Sequence, residues 1–144
     1  MGRKIMMVED NPDHALLIKR GIEGPDCTVR HFEDGLEALE ACEANQSEEA
    51  KPDLILLDLQ LPGLDGFSIM ERLRKIKAYE HVPIVMLTTS ARQKEISQAY
   101  ALGASGYVVK SDDFQMFMTK LKHIKNYWFQ TVELPEKNGG THAS

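Results

Sequence analysis

Residues 54–58 read Leu-Ile-Leu-Leu-Asp, an uninterrupted apolar run that ends in a carboxylate. Four consecutive apolar residues are typical of a strand buried on both faces, as in a parallel sheet that helices cover on each side. A second run of this kind occupies residues 84–87, Ile-Val-Met-Leu, and ends in Thr88. These two runs indicate an α/β fold whose central strands each end in a polar side chain.

Strand-like and helix-like segments alternate outward from these two strands. The first helix-like segment, for example, ends at Gly24-Pro25, a sequence that stops a helix. Five β–α units of this kind predict a parallel sheet with helices on both faces. We predict one domain over residues 1–130, with an extended last helix, and a polar, flexible tail over residues 131–144.

The composition is that of an ordinary globular chain, with 42% hydrophobic and 27% charged residues among 144. A net charge of −5 argues against binding to nucleic acid and against polybasic attachment to a membrane. Glu9-Asp10 interrupts the first apolar run, so we expect neither a signal peptide nor a membrane helix. Two cysteines, Cys27 and Cys42, do not make a disulfide framework, and we expect a reduced, cytoplasmic protein.

Polar residues follow four of the predicted strands at the point where each strand ends. Glu9-Asp10 follows the first strand, Asp58 the third, Thr88 ends the fourth and Lys110 follows the fifth. Ligands of open α/β sheets bind beyond the carboxyl ends of the strands, where the strand order reverses. If the strand order is 2-1-3-4-5, the three acids lie side by side at that point.

Three carboxylates in one pocket repel one another unless a proton or a cation neutralises them. Mg²⁺ prefers oxygen ligands and commonly uses one or two carboxylates together with water and phosphate. A carboxylate beside this ion can attack a phosphorus atom, and we assign that role to Asp58. Lys110 and the Thr88 hydroxyl would donate to phosphoryl oxygens, because phosphoryl transfer requires positioning and charge stabilisation.

Four stretches of the chain together resemble the receiver domains of two-component response regulators. They are Val8-Glu9-Asp10-Asn11, Leu-Leu-Asp-Leu-Gln-Leu-Pro-Gly-Leu-Asp-Gly at residues 56–66, Met86-Leu87-Thr88-Thr89 and Tyr107-Val108-Val109-Lys110. The resemblance covers residues 3–130 and implies a flavodoxin-like (βα)5 fold, a doubly wound parallel sheet with strand order 2-1-3-4-5. It also implies a stand-alone response regulator that accepts a phosphoryl group from the phosphohistidine of a sensor histidine kinase.

The resemblance implies a role in the metal site for each matching acid. Asp58 matches the phosphoacceptor, Asp10 a direct ligand of Mg²⁺ or Mn²⁺, and Glu9 the second acid of the site. The backbone carbonyl of Gln60 matches the protein ligand that completes the metal site. Receivers of this kind also promote their own dephosphorylation, and we expect a phosphoacceptor signalling protein rather than an enzyme with a separate substrate.

The resemblance also implies how the signal leaves the site. Thr88 matches the hydroxyl that senses the phosphoryl group, Lys110 the lysine that binds it, and Tyr107 an aromatic residue that moves inward on activation. A phosphoryl group that draws Thr88 toward it would vacate space for Tyr107 and change the face of the fourth helix, fifth strand and fifth helix. An ordinary half-buried strand aromatic is the alternative for Tyr107.

Two residues depart from the family's pattern. Ser111 stands where a proline, often cis, usually follows the lysine, and Glu9 replaces the commoner aspartate. A cis bond before a residue other than proline costs about 2.5–4 kcal/mol, so the conformation of this loop is left open.

The last helix carries more apolar residues than one packing face requires. We expect the following stripe to pack on the sheet: Phe114, Phe117, Leu121, Ile124 and Trp128. Outside that stripe remain Met116, Met118, Tyr127 and Phe129. Surplus methionine and aromatic residues often mark an association surface, although extra core packing on a long helix is an alternative.

The ending Asn-Tyr-Trp-Phe-Gln-Thr-Val-Glu-Leu-Pro at residues 126–135, together with Lys110-Ser111, resembles a subgroup of receivers that work with cyanobacterial-type phytochrome kinases. In that subgroup the extended last helix helps to form a homodimer. The resemblance therefore implies a phytochrome-like kinase partner and a homodimer through the fourth helix, fifth strand and fifth helix. The interface residues we expect are Phe117, Tyr127, Trp128 and Phe129.

Other function classes fit the strand-end residues less well. A dehalogenase-like phosphatase has its nucleophile after the first strand and a second acid two residues on, where this chain has Gln60. A flavin binder needs a phosphate-wrapping loop after strand one, which Glu9-Asp10 would repel. A degenerate receiver that acts only as an interaction module would not need the acids, Thr88 and Lys110. The five histidines show no metal-binding spacing and indicate surface or otherwise satisfied side chains.

Overall fold

Five parallel strands form one sheet in the computed structural model, which describes residues 2–135. The strands are β1 (Arg3–Val8), β2 (Cys27–Phe32), β3 (Leu54–Leu57), β4 (Ile84–Thr88) and β5 (Gly106–Val109). The helices are α1 (Pro12–Ile22), α2 (Gly35–Ala44), α3 (Gly66–Lys75), α4 (Gln93–Ala101) and α5 (Phe114–Asn126). A 3₁₀ turn occupies Lys77–Tyr79 and a π-helical turn occupies Tyr127–Thr131. The order β2-β1-β3-β4-β5 confirms the predicted fold class.

The sheet is buried between two layers of helices. α1 and α5 cover one face, through residues such as Ile18 and Leu121. α2, α3 and α4 cover the other face, through residues such as Leu39 and Leu73. Every residue of β3 and β4 is buried, which explains their uninterrupted apolar sequences.

The register of the strands brings their carboxyl ends level with one another. Val8 at the end of β1 pairs with Phe32 of β2 and with Leu57 of β3. The backbone N–H of Asp58 donates to the Val8 carbonyl at 3.1 Å, and the N–H of Lys110 donates to the Thr88 carbonyl at 2.7 Å. The residues that follow the strands therefore leave the sheet at one edge, already held by backbone hydrogen bonds.

Three other acidic loop residues cap helices. The side chains of Asp34, Asp65 and Asp113 accept hydrogen bonds from backbone N–H groups in the first turns of α2, α3 and α5. Asn11 does the same for α1, where Pro12 begins the helix as predicted. These three acids therefore stabilise helices and are not candidates for the functional site.

Close backbone packing fixes the loop between β3 and α3. A Cβ atom added at Gly66 would lie 2.4 Å from the carbonyl oxygen of Asp58, closer than any real contact. The N–H of Gly66 donates to the Leu59 carbonyl at 2.9 Å and closes the loop. Only glycine allows this approach, so Gly66 helps to position Asp58.

The last helix packs differently from the predicted stripe. Phe114, which we expected in the core, is 52% exposed, whereas Met118 and Phe129 pack against the core formed with α1. Phe129 lies in the π-helical turn after α5, and the Arg3 guanidinium is 5.6 Å from the centre of its ring. Phe117 is only 2% exposed and belongs to the core, as expected of a residue of the stripe.

No helix in residues 2–135 is long and apolar enough to cross a membrane. The predicted tail spans residues 131–144. Its first part, Val132–Pro135, follows the π-helical turn, and residues 136–144 lie outside the described residues.

Candidate functional site

Four buried side chains that are polar or charged lie together at the carboxyl edge of the sheet. Glu9 follows β1, Asp58 follows β3, Thr88 ends β4 and Lys110 follows β5. The described part of the chain has no other buried residue of this kind. Because burial of charge is costly unless it is paired, this concentration marks the edge as a site rather than a random set of loop residues.

Lys110 is the centre of a compact ion-pair network. Its Nζ donates to Glu9 Oε1 at 2.6 Å and to Asp58 Oδ2 at 3.0 Å. The three side chains are between 2% and 8% exposed. One ammonium group offsets only one of the two carboxylate charges, so when both acids are ionised the network can accept a proton or a further cation.

Backbone groups hold the remaining carboxylate oxygens. Asp58 Oδ1 accepts a hydrogen bond from the N–H of Gln60 at 3.1 Å. Glu9 Oε2 accepts one from the N–H of Asn11 at 3.2 Å, and His31 Nε2 lies 2.7 Å from the Glu9 carbonyl oxygen. Asp10 is exposed at the mouth of the site, in contrast to the two buried acids.

Burial changes the protonation of Glu9. Loss of hydration raises the pKa of this carboxyl from 4.5 to about 7, and the neighbouring Asp58 charge adds to the rise. The hydrogen bond and charge of Lys110 act in the opposite direction without cancelling it. Without a cation, Glu9 therefore exchanges its proton near neutral pH rather than near pH 4.5.

Three acids are close enough to share one metal ion. Glu9, Asp10 and Asp58 each offer a carboxylate oxygen, and these oxygens lie within 4.8 Å of one another. Ligands on opposite sides of a Mg²⁺ ion are about 4.2 Å apart, because each Mg–O bond is about 2.1 Å long. The all-oxygen donor set and its excess negative charge thus fit a small, hard divalent cation.

The residues predicted to sense the phosphoryl group lie beside the acids. Thr88 is fully buried, and its hydroxyl is 3.4 Å from the N–H of Ser90. The Tyr107 hydroxyl donates to the Ser90 carbonyl at 2.9 Å, and its half-buried ring packs against the core under α4. Burial raises the pKa of the Tyr107 phenol. Thr88 and Tyr107 are therefore linked through one short segment of backbone.

Gln60 and Ser111 lie in the loops that follow β3 and β5. Gln60 is exposed, and its amide oxygen lies 3.4 Å from the Thr89 hydroxyl. The bond between Lys110 and Ser111 is trans, which answers the question raised by the missing proline. The Ser111 hydroxyl accepts a hydrogen bond from the N–H of Asp113, so the loop turns directly into α5.

His14 is a member of the site to which the sequence analysis gave no role. Its Nδ1 is 3.0 Å from Lys110 Nζ and 3.9 Å from Glu9 Oε2. Burial, followed by the charge of Lys110, lowers the pKa of this imidazole. The available signal was positional, since His14 lies in the first turn of the helix that begins directly after Glu9-Asp10.

A second surface feature lies along β5. A groove of about 540 Å³ is lined by residues of β5 and α5 together with Tyr100 of α4. Tyr127 is 50% exposed and its ring stacks edge-on against Trp128 at 5.1 Å. Of the predicted interface residues, Tyr127 and Trp128 line this groove, whereas Phe129 packs inward with the buried Phe117.

Comparison with known families and proteins agrees with this site. Residues 5–122 match the family described as "Response regulator receiver domain". The "Probable methanogenesis regulatory protein FilR2" of Methanothrix harundinacea is 32% identical over 127 residues, which cover 86% of this chain and 82% of that protein. "Response regulator Rcp1" of Synechocystis sp. is 29% identical over 137 residues, which cover 91% of this chain and 92% of that protein.

Solved structures of response regulators also superimpose closely on this chain. The phosphorylated cyanobacterial phytochrome response regulator RcpA superimposes with a TM-score of 0.85 at 31% identity, covering 94% of this chain and all of that one. The Mn²⁺-bound form of Rcp1 superimposes with a TM-score of 0.83 at 28% identity, covering 93% and 99% of the two chains.

Proposed function

The chain belongs to the response regulator receiver domain family, whose members accept a phosphoryl group in two-component signalling, and we propose that Asp58 is its phosphoacceptor. The observation that carries this assignment is the contrast among the three acids. Glu9 is the most deeply buried, and burial raises its pKa to about 7, whereas Asp10 is exposed. Asp58 is buried but more accessible than Glu9, at 7% against 1%, and it follows β3, the middle strand of the sheet.

The proposed reaction is transfer from a phosphohistidine of a sensor kinase. An Asp58 carboxylate oxygen forms a bond to phosphorus while the bond from phosphorus to the histidine nitrogen breaks. The histidine leaves with the electron pair of that bond and takes up a proton from solvent. Lys110 keeps its positive charge throughout and donates to a phosphoryl oxygen, and the buried Thr88 hydroxyl offers a second donor.

We propose Mg²⁺ as the physiological cation, with Mn²⁺ as a substitute. Glu9, Asp10 and Asp58 would hold it, together with the Gln60 backbone carbonyl. When bound, the ion neutralises charge on the phosphoryl oxygens and so lowers the repulsion between the donor and the acidic site.

The output we propose is a change in the face formed by α4, β5 and α5. Tyr107 lies at its edge and is joined through Ser90 to the segment after Thr88. The exposed rings of Tyr100 and Tyr127 flank the groove on this face, which supports contact with a second copy of the chain. The similarity to RcpA and Rcp1 supports a phytochrome-like kinase in the cytoplasm as the partner.

The central test is phosphorylation by a small donor such as phosphoramidate with Mg²⁺, measured by intact mass. Wild type should gain one phosphoryl group and Asp58→Asn should gain none. Asp65→Asn is the matched control, because this aspartate of the same loop caps α3 and asparagine caps equally well. A gain of one phosphoryl group by Asp58→Asn would overturn the assignment.

A further inference from the structure

We propose that His14 is a positioning residue that holds Lys110 in place for phosphoryl transfer. The proposal rests on the proposed function of Asp58 and adds a residue to the same site. Nδ1 of His14 lies 3.0 Å from the Lys110 ammonium, within hydrogen-bond distance. His14 lies on α1, so its ring contacts the Lys110 ammonium from the helix layer.

The hydrogen bonds of the ammonium are complete only when His14 is included. An ammonium group carries three N–H donors and no acceptor. Glu9, Asp58 and His14 provide three acceptors, all at 3.0 Å or less. Because the Lys110 side chain is only 3% exposed, water has little access to replace a missing partner.

The same contact fixes the tautomer of the imidazole. Lys110 Nζ can only donate, so Nδ1 of His14 carries the lone pair and the ring proton is on Nε2. His14 is thus an uncharged acceptor. A third carboxylate in this place would cancel the charge that Lys110 needs for a phosphoryl oxygen, whereas imidazole orients the ammonium and leaves its charge intact.

Helix packing behind the ring makes this acceptor rigid. The His14 ring meets the ring of Phe117 edge-on, with centroids 6.4 Å apart, and Phe117 is buried on α5. Gly21, about two turns after His14 on α1, allows close contact with Leu121, one turn after Phe117 on α5. A Cβ at Gly21 would lie 2.8 Å from the Leu121 side chain. The contact between α1 and α5 therefore sets the position of the imidazole before any ligand binds.

A fixed acceptor matters most when Asp58 is phosphorylated, because Lys110 must then exchange one of its hydrogen-bond partners. The N–H that Lys110 gives to Asp58 must then move to a phosphoryl oxygen, and a bound cation competes for Glu9. His14 is the partner that neither event removes. With this anchor in place, the ammonium has one short movement to make rather than a search through rotamers.

A matched pair of variants tests the proposal. His14→Asn keeps an acceptor on Cγ, at the reach of Nδ1, whereas His14→Leu has similar bulk and no acceptor. The maximal rate of phosphorylation by phosphoramidate at saturating Mg²⁺ should fall about tenfold or more in His14→Leu, as expected for one lost bond to a charged group. His14→Asn should remain within about twofold of wild type.

Two further readouts separate positioning from a general structural effect. The Mg²⁺ dissociation constant should change less than about twofold in either variant, because His14 holds Lys110 rather than the cation. The ¹H–¹⁵N signal of the Lys110 ammonium should be protected from solvent exchange in wild type and His14→Asn but lost in His14→Leu. If His14→Leu does not fold, His14→Ile replaces it, because it also keeps apolar bulk in place of the acceptor.

The outcomes distinguish this proposal from the function on which it rests. Wild-type rates in His14→Leu, equal defects in both variants, or a defect confined to Mg²⁺ affinity would each overturn the role of His14. Each of these results is compatible with a phosphorylated Asp58. Phosphorylation of Asp58→Asn in the same assay would instead overturn the assignment of the phosphoacceptor.

Discussion

Two regions of this molecule depart from the usual distribution of residues, and they do so in opposite ways. The carboxyl edge of the sheet buries charges, with Lys110, Glu9 and Asp58 all nearly inaccessible. The face along β5 exposes aromatic rings, with Tyr100 and Tyr127 about half accessible. Buried charges must find partners within the chain, whereas exposed rings are stabilised by contacts from outside it. The first region is thus suited to chemistry, and the second to contact.

The largest expected effect comes from removal of the central cation of the buried region. Lys110→Met leaves Glu9 and Asp58 without their ammonium partner and should lower the free energy of unfolding by about 3 kcal/mol at pH 8 without divalent cations. Urea denaturation measures this effect. The exposed Lys122→Met is the control and should change stability by less than about 0.5 kcal/mol. Equal effects of the two substitutions would show that the buried network is not stabilising.

A change in pH should alter cation binding at the same edge. The pKa of Glu9 is raised above its ordinary 4.5, so the folded, cation-free protein loses stability from this group as pH rises toward 7. A divalent cation competes with that proton, and its affinity should therefore weaken about tenfold from pH 8 to pH 6. Calorimetric titration of Mn²⁺ measures this. Glu9→Gln should give a flat profile, and an equally steep profile in that variant would exclude Glu9 as the titrating group.

The exposed region should respond in self-association rather than in stability. Tyr127→Ala removes a half-exposed ring from the groove and should raise the dimer dissociation constant about fivefold to tenfold. Sedimentation velocity over a range of concentrations measures this constant. Phe114→Ala is the control, because Phe114 is equally exposed at the other end of α5. A dimer that is unchanged by Tyr127→Ala but weakened by Phe114→Ala would move the interface to a different face.

The smallest expected effect lies at the junction of the two regions. Tyr107→Phe removes only the hydrogen bond to the Ser90 carbonyl and should lower the free energy of unfolding by about 0.5–1 kcal/mol, or about 2 °C in Tm. Phosphorylation of Asp58 should proceed at nearly the wild-type rate, while its effect on self-association should weaken. The exposed Tyr100→Phe should change neither quantity. If phosphorylation changes the self-association of Tyr107→Phe as much as that of wild type, the Tyr107 hydroxyl does not link the two regions.

Much of the site followed from the order of the strands. Asp58 and Lys110 are 52 residues apart in the sequence, yet each directly follows a strand of one parallel sheet, and such ends must meet at one edge. The apolar runs of β3 and β4 identified those strands, because only apolar residues suit a strand covered on both faces.

The errors lie where packing between helices decides the outcome. Phe129 was expected in a contact surface but packs against the core, whereas Phe114 of the expected core stripe is exposed. Periodicity within one helix cannot show which neighbour covers which side. His14 is a similar case, since its place beside Lys110 depends on how α1 lies across α5.

The sequence by itself determined the α/β architecture, the edge at which the acids meet and the residue types that suit phosphoryl chemistry. These follow from local rules, namely apolar runs, caps and the common direction of parallel strands. Tertiary structure alone decided the protonation of Glu9, the third partner of Lys110 and the residues left exposed beside β5. Those properties depend on burial and on contacts between distant segments, which only the folded chain defines.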